Sequence, residues 1–199
     1  SFYVDVTECV REGENVAAVR VKDDLVPNSR WYSGSGIYRD VYLVRTNEIH
    51  FDDFGVRCAT NGIYPKQDTA LLQIRAQVVN DGSRLENVGV FHKIYDRDGK
   101  LVSTSGIALY LEPGESSDCM VRPTVDAPHL WTDEDPYLYT LVSTVVADGR
   151  ELDSFTCKTG IRTAVFDAER GFLLNGETVK IKGMCVHHDC GMTGAVGYK

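Results

Sequence analysis

The segment 69–80, TALLQIRAQVVN, alternates apolar and polar residues with a period of two. Its apolar positions include Leu72, Ile74, Ala76 and Val78, and its polar positions include Gln73, Arg75 and Gln77. Successive side chains of an extended strand point to opposite faces, so this pattern predicts a long strand with one face in a core. No segment shows the 3.6-residue apolar period of a long helix, and we therefore expect an all-β fold.

Turn signals divide the middle of the chain into further apolar runs. The segments 96–99 (DRDG) and 147–150 (ADGR) predict tight hairpin turns. The other strands predicted here are Val88–Tyr95, Leu101–Ser105, Ile107–Leu111, Asp118–Val125, Tyr137–Val146 and Glu151–Thr159. About seven short strands at this spacing indicate an immunoglobulin-like β-sandwich, without the inter-sheet cysteine pair and core tryptophan of antibody domains.

The two ends of the chain have a different pattern. Asn15–Val21 and Arg39–Val44 predict strands ahead of the sandwich. Behind it, Phe172–Glu177 predicts a hairpin and Val179–Met184 a short buried strand, which leads into the polar, glycine-rich loop 186–199. Because the chain begins within a strand and ends on an open loop, we interpret it as part of a larger protein.

Charge and hydropathy argue against two classes of partner. The formal net charge is −8, and no basic face is available to neutralise phosphates, so a nucleic-acid partner is not expected. No apolar stretch approaches the roughly 20 residues that span a bilayer, so a membrane partner is not expected either.

The six cysteines include no C-x-x-C pair, and most are predicted to be small buried apolar residues rather than a disulfide framework.

Three segments, in this order, carry a family resemblance: SRWYSGSGIYRDVYLV, PHLWTDEDPYLYTL and GFLLNGETVKIKGMCVHHDCG. They resemble parts of glycoside hydrolase family 2. The first is similar to the end of its jelly-roll domain, the second to a stretch of its middle sandwich, and the third to the first strands of its (β/α)8 barrel. The domains that the resemblance implies are a jelly-roll end at 1–47, an immunoglobulin-like β-sandwich at 48–164 and the start of the barrel at 165–199.

The loop that contains His187, His188 and Asp189 has the residues best suited to binding a sugar. Polar residues just beyond the C-terminal end of a barrel strand lie at the active-site face. The resemblance implies that the histidine and aspartate of this loop bind the non-reducing-end sugar, and we favour Asp189 first and His187 next. A metal site with Cys185 and Cys190 is disfavoured, because its five ligands would crowd into six residues whose neighbouring side chains diverge.

The resemblance implies a retaining glycosidase that removes terminal non-reducing β-D-galactose residues. Such enzymes need two carboxyl groups about 5–5.5 Å apart, and the family places both glutamates on later barrel strands, beyond Lys199. Glu134, Glu151 and Glu177 are expected in turns and a hairpin, and the acidic cluster 133–135 in an exposed loop. We therefore predict no catalytic residue in this chain, which by itself should be structural and inactive.

Other functions stay open. One is a different specificity in the same family, such as β-glucuronidase or β-mannosidase, and another is a stand-alone carbohydrate-binding or adhesion sandwich. A serine-hydrolase triad through His92 or His129 is disfavoured, because the chain has no G-x-S-x-G elbow.

The only partner expected is the carbohydrate substrate of the whole enzyme. This chain is expected to hold no cofactor or metal; for the whole enzyme, Mg²⁺ or Na⁺, a homo-oligomeric state and a cytoplasmic or periplasmic location in a bacterium stay open.

Overall fold

The computed structural model describes residues 3–22, 36–37 and 40–185, and the regular secondary structure in these ranges is entirely β. The strands are β1 Ile49–Phe51, β2 Arg57–Tyr64, β3 Thr69–Asn80, β4 Glu86–Tyr95, β5 Leu101–Leu111, β6 Ser116–Val121, β7 Thr124–Asp126, β8 Tyr139–Ala147, β9 Arg150–Thr159, β10 Ala164–Asp167, β11 Gly171–Leu174 and β12 Glu177–Thr178. The predicted all-β class is confirmed. No helix in the described residues is long and apolar enough to cross a membrane.

The chain divides into two compact units. One comprises Val44–Lys182 and holds all of the strands named above. The other comprises Ser1–Leu43 together with Gly183–Lys199, and its described residues form turns and irregular backbone. The domain boundaries expected at 47/48 and 164/165 stay predictions.

Two antiparallel sheets form the sandwich within the unit Val44–Lys182. In the first sheet β3 is central: β1 and β2 pair along one of its sides, and β6 and β7 pair along the other. The second sheet has the order β5-β4-β8-β9. A smaller third sheet, β10-β11-β12, follows in sequence.

Strand β3 begins and ends at the predicted residues, and the side chains that its alternating pattern predicts to be buried do face the core. Its core-facing side chains are each at most 1% exposed, and its intervening positions are partly or fully exposed. Full burial of an aliphatic side chain stabilises a fold by about 1.5–3 kcal/mol, so this face contributes much of the core. The buried residues of β3 are Ala70, Leu72, Ile74, Ala76, Val78 and Asn80, and those of the facing sheet include Val88, Val90, Ile94, Leu141 and Val145.

Two predicted boundaries within the sandwich are wrong. Gly106 does not end a strand, because β5 continues through it while paired to β4 across its whole length. The predicted strand Asp118–Val125 is two strands, β6 and β7, which are interrupted at Pro123. A proline has no N–H to donate to a ladder. The Pro123 carbonyl nevertheless accepts a 2.9 Å hydrogen bond from the Leu72 N–H, so β3 stays paired there.

Three predicted strands outside the sandwich are not formed. Asn15–Val21 has no strand, and neither do the described residues of Arg39–Val44. The predicted buried strand Val179–Met184 is also wrong, because these residues form no strand and most are exposed. Local patterns of apolar residues and turns predicted these strands, and a strand also needs a neighbouring strand to pair with. The strands that the sequence analysis missed are β1, β2 and β10.

The side chain of Asn80 joins the two sheets of the sandwich. Asn80 ends β3 and is fully buried. Its Nδ2 donates to the Arg84 carbonyl at 2.8 Å and to the Leu111 carbonyl, at the end of β5, at 3.0 Å. Its Oδ1 accepts a 2.9 Å hydrogen bond from the Gly82 N–H. Each polar atom of this amide is therefore satisfied inside the protein, which is the condition for burying it without a large penalty.

We expect Asn80→Leu to lower the free energy of unfolding by about 3 kcal/mol, because it leaves the partners of the amide unsatisfied in a buried site. Urea denaturation of the chain measures this change. Asn87→Ala, at an exposed position of β4, is the matched control and should change stability by less than about 0.5 kcal/mol. Equal effects of the two substitutions would contradict the role assigned to the Asn80 amide.

Candidate functional site

The predicted sugar-binding residues His187, His188 and Asp189 lie outside the described residues, and their roles stay predictions. The chain that leads to them is described as far as Cys185 and is exposed from Lys180 onward. Within the unit Val44–Lys182, residues of two of the segments quoted above form two clusters of contacts.

Trp131 forms a joint between the end of the sandwich and the third sheet. Its N–H donates to the Ile161 carbonyl at 2.9 Å, and the guanidinium carbon of Arg162 lies 4.6 Å from its ring centroid. Gly160 passes directly beside the Trp131 side chain, and a Cβ at Gly160 would lie 2.9 Å from a ring carbon. A glycine is thus required where the segment between β9 and β10 runs past the indole.

Asn175 attaches the β11-β12 hairpin to this joint. Its Nδ2 donates to the Trp131 carbonyl at 3.0 Å, and its Oδ1 accepts from the Thr163 N–H at 3.0 Å. Its own N–H donates to the Thr163 carbonyl at 2.9 Å. The φ of Asn175 is 53°, in the left-handed region that asparagine tolerates better than most residues. Asn175, in the segment GFLLNGETVKIKGMCVHHDCG, therefore both forms the turn and binds the backbone carbonyl of Trp131, in the segment PHLWTDEDPYLYTL.

The loop 132–136 is held by a second cluster. Asp135 accepts a 3.1 Å hydrogen bond from Arg97, and its other oxygen lies 2.6 Å from Nε2 of His129. The His129 ring stacks on the Tyr137 ring at 4.2 Å between centroids, and the guanidinium carbon of Arg97 lies 4.3 Å from the centroid of the Tyr137 ring. The hydrogen bonds from Arg97, and then from His129, hold the pKa of Asp135 below its ordinary value.

This second cluster is suited to fixing a loop and unsuited to acid catalysis. A general acid in a glycosidase needs a raised pKa, whereas that of Asp135 is lowered. Asp133 and Glu134 are exposed, as expected from the sequence. Tyr139, of the same segment, is buried in the core of the sandwich.

His92 and Ser143 form a pair that resembles part of a serine-hydrolase triad. Nδ1 of His92 lies 2.8 Å from the Ser143 hydroxyl, but both residues are at most 1% exposed in the middle of the sandwich. Within the described part of the chain, Nε2 of His92 has no hydrogen-bond partner, so no carboxylate orients the ring. A substrate cannot reach this pair, and burial lowers the pKa of His92 to about 4.

The buried His92 predicts a loss of stability in acid. An unfolded histidine titrates near pH 6.5, so between about pH 6.5 and pH 4 the unfolded chain binds a proton that the folded chain excludes. We expect the free energy of unfolding to fall across this window by about 3 kcal/mol through His92 alone. Urea denaturation at several pH values measures it, with His92→Gln as the non-titrating control. Identical pH slopes for the two proteins would contradict the buried, neutral histidine.

Comparison with known proteins identifies the family. The profile of glycosyl hydrolases family 2 matches residues 50–162, which is more than half of the chain. The chain belongs to this family. The β-galactosidase BoGH2A of Bacteroides ovatus is 41% identical over 98% of this chain, which spans 23% of that relative's length.

Solved structures of the family agree with the fold. A family 2 member from Bacteroides cellulosilyticus matches 86% of this chain with a TM-score of 0.79 and 34% identity, and the match spans 23% of that protein. A β-glucuronidase from Bacteroides uniformis matches 86% of the chain with a TM-score of 0.75 and 31% identity, and the match spans 22% of it. The predicted immunoglobulin-like sandwich is consistent with these family 2 neighbours. The chain thus spans about a quarter of the length of these proteins.

The contacts between the family motifs could not be predicted from the sequence. Nothing local marks Arg97 as the partner of Asp135, which is 38 positions further along the chain. Asn175 is likewise 44 positions from Trp131. The only available signal was the turn chemistry of Asn175-Gly176, which predicts a left-handed backbone without indicating what the asparagine side chain binds.

Proposed function

We propose that this chain is the scaffold of a retaining β-galactosidase and contributes one rim of its sugar pocket. Membership of family 2 and the 41% identity to a β-galactosidase of Bacteroides ovatus over 98% of the chain carry this proposal. The two reacting carboxyl groups are proposed to lie outside residues 1–199. Among the described residues, Asp135 is held by the side chains of Arg97 and His129, and its lowered pKa does not suit a proton donor.

The third sheet supports the scaffold role. Phe166 is 80% exposed and pairs its ring with that of Phe172 at 5.2 Å between centroids. An apolar surface of this kind is costly in water and is typical of a face that another part of the protein covers. We assign this face to contact with the rest of the barrel in the whole enzyme.

The joint at Trp131 gives the scaffold a mechanical role. Asn175 fixes the hairpin that precedes the segment toward His187 and Asp189, and Trp131 ties that hairpin to the sandwich. In this proposal, Asp189 accepts hydrogen bonds from sugar hydroxyls and His187 or His188 donates to a sugar oxygen. Such contacts accelerate hydrolysis when they strengthen in the transition state, which demands accurate placement of the loop.

β-Glucuronidase is the second candidate function. The structural match to the β-glucuronidase of Bacteroides uniformis, at 31% identity, favours it. The two sugars differ in the group on C5, which is hydroxymethyl in galactose and carboxylate in glucuronic acid, and in the configuration at C4. A carboxylate would need a cationic partner, so the residues that choose between these sugars are proposed to lie in the catalytic barrel.

A panel of aryl β-glycosides tests the proposed specificity on the full-length enzyme. We expect kcat/KM for the β-galactoside to exceed that for the β-glucuronide and the β-mannoside by roughly hundredfold or more. The 199-residue chain is the control and should hydrolyse none of them above the buffer rate. Preference for the glucuronide would replace the proposed specificity, and turnover by the isolated chain would refute the location assigned to the carboxyl groups.

Asp189→Asn in the full-length enzyme tests the sugar-binding loop. We expect kcat/KM for the aryl β-galactoside to fall by on the order of 10²–10³, because a charged acceptor of sugar hydroxyls is lost. Asp133→Asn, in the exposed loop, removes the same charge elsewhere and should leave kcat/KM unchanged. Equal kinetics for the two variants would remove Asp189 from the site.

A further inference from the structure

Three polar side chains lie next to each other on the inner face of the second sheet. In the antiparallel register, His92 on β4 is opposite Ser105 on β5 and opposite Ser143 on β8. Residues directly opposite each other on neighbouring strands have their side chains on the same face of the sheet. His92 and Ser143 are almost fully buried, so this face is the one that lines the core. The three residues therefore form a polar row across three strands inside the sandwich.

The hydrogen bonding of this polar row is incomplete. Nδ1 of His92 lies 2.8 Å from Oγ of Ser143. Nε2 of His92 and Oγ of Ser105 are shielded from solvent, and the described residues offer neither atom a hydrogen-bond partner. An unpaired polar atom in a protein core is rare, because burial removes its hydrogen bonds to water without replacing them. The two unpaired atoms belong to residues that face each other across β4 and β5.

The choice of tautomer at His92 does not satisfy the ring. A neutral imidazole has one nitrogen that donates a hydrogen bond and one that accepts. The Ser143 hydroxyl can either donate to Nδ1 or accept from it, so Nε2 needs an acceptor in the first case and a donor in the second. A group that both donates and accepts meets either need, and it can bond the Ser105 hydroxyl at the same time.

A water molecule is such a group, and the positions of the two atoms suit it. Opposite residues of antiparallel strands have Cβ atoms about 4.5–5.5 Å apart, so Ser105 is an immediate neighbour of His92. The two unpaired atoms nevertheless lie outside direct hydrogen-bond geometry. Neighbouring polar atoms that do not bond directly are commonly joined by an ordered water. The polar row carries no negative charge, which disfavours a metal cation in the same place.

We propose that one buried water molecule binds between β4 and β5, where it is hydrogen-bonded to Nε2 of His92 and to Oγ of Ser105. The hydrogen bonds then run from Ser143 through His92 and the water to Ser105, and they connect β8, β4 and β5 through their side chains. Buried waters occur about once per 27 residues in globular proteins and bind polar groups that would otherwise be unpaired. Because a shift of one residue in either strand pairing moves a side chain to the other face, this polar row also favours the observed register.

A high-resolution crystal structure of the 199-residue chain tests the proposal directly. We expect the oxygen of an ordered water within about 2.7–3.2 Å of both Nε2 of His92 and Oγ of Ser105. A direct hydrogen bond between these two atoms overturns the proposal, and so does a structure in which no water lies within reach of Nε2.

Nuclear magnetic resonance tests the same site in solution. A water bound at Nε2 should give a dipolar cross-peak between the water resonance and Hδ2 of His92, the ring proton on the carbon next to Nε2. Ser105→Ala removes one of the two ligands of the water, and we expect the cross-peak to weaken about fivefold or more because a hydrogen bond is lost. Ser103→Ala is the matched control: it removes a hydroxyl at the next core-facing position of β5, opposite the buried Ile94, and should keep the cross-peak.

The two variants each replace one serine of the same strand by alanine, so a general effect on the fold changes both alike. The dispersion of the amide resonances verifies that both are folded. A cross-peak that persists in Ser105→Ala removes Ser105 from the site and overturns the proposal. A cross-peak that is lost in both variants also overturns it, because Ser103 is not a ligand of the proposed water.

Discussion

The structure depends on the two-sided pairing of β3. Strands β1 and β2 hydrogen-bond to one side of β3, and β6 and β7 to the other, while its alternate side chains form the centre of the core. A strand in this position must satisfy backbone hydrogen bonds on both sides and pack one face without gaps. Asn80 extends this constraint to the second sheet, because its amide reaches the Leu111 carbonyl at the end of β5.

A few polar side chains of the sandwich stabilise the fold by connecting its segments. The Asn80 amide joins the sheets, the Asp135 carboxylate fixes the loop before β8, and the Asn175 amide joins the third sheet to Trp131. Each of these side chains connects segments that are far apart in sequence. In the proposed enzyme, such connections transmit the rigidity of the sandwich to a loop that must hold a sugar in place.

His92 shows how a chemically suggestive pair can be a structural one. The ring and the Ser143 hydroxyl are at hydrogen-bond distance, as in a hydrolase, yet both lie in the closed core. Chemistry needs access for the substrate and a proton acceptor with a suitable pKa. The pKa of about 4 and the depth of His92 exclude both conditions.

Features that depend on neighbouring residues in the sequence were predicted accurately, and features that depend on contacts between distant segments were not. The first and last residues of β3 were predicted correctly, because its alternation of apolar and polar residues follows from the burial of one face. The short strands β1 and β2 were missed, because they exist through pairing with β3 and have weak patterns of their own. Val179–Met184 was predicted as a strand on composition, and without a paired neighbour in the described chain it forms none. The sugar-binding residues His187, His188 and Asp189 stay predictions.

The sequence by itself determined the β character, the central strand, the hairpin turns and the family, because these follow from local periodicity, turn chemistry and motifs in a fixed order. The tertiary structure alone decided which polar groups meet. The contacts of Arg97 with Asp135 and of Asn175 with Trp131 depend on where the backbone places distant segments. The physical reason is that a side-chain hydrogen bond acts over about 3 Å, whereas a sequence pattern records only the burial of each residue and the turns beside it.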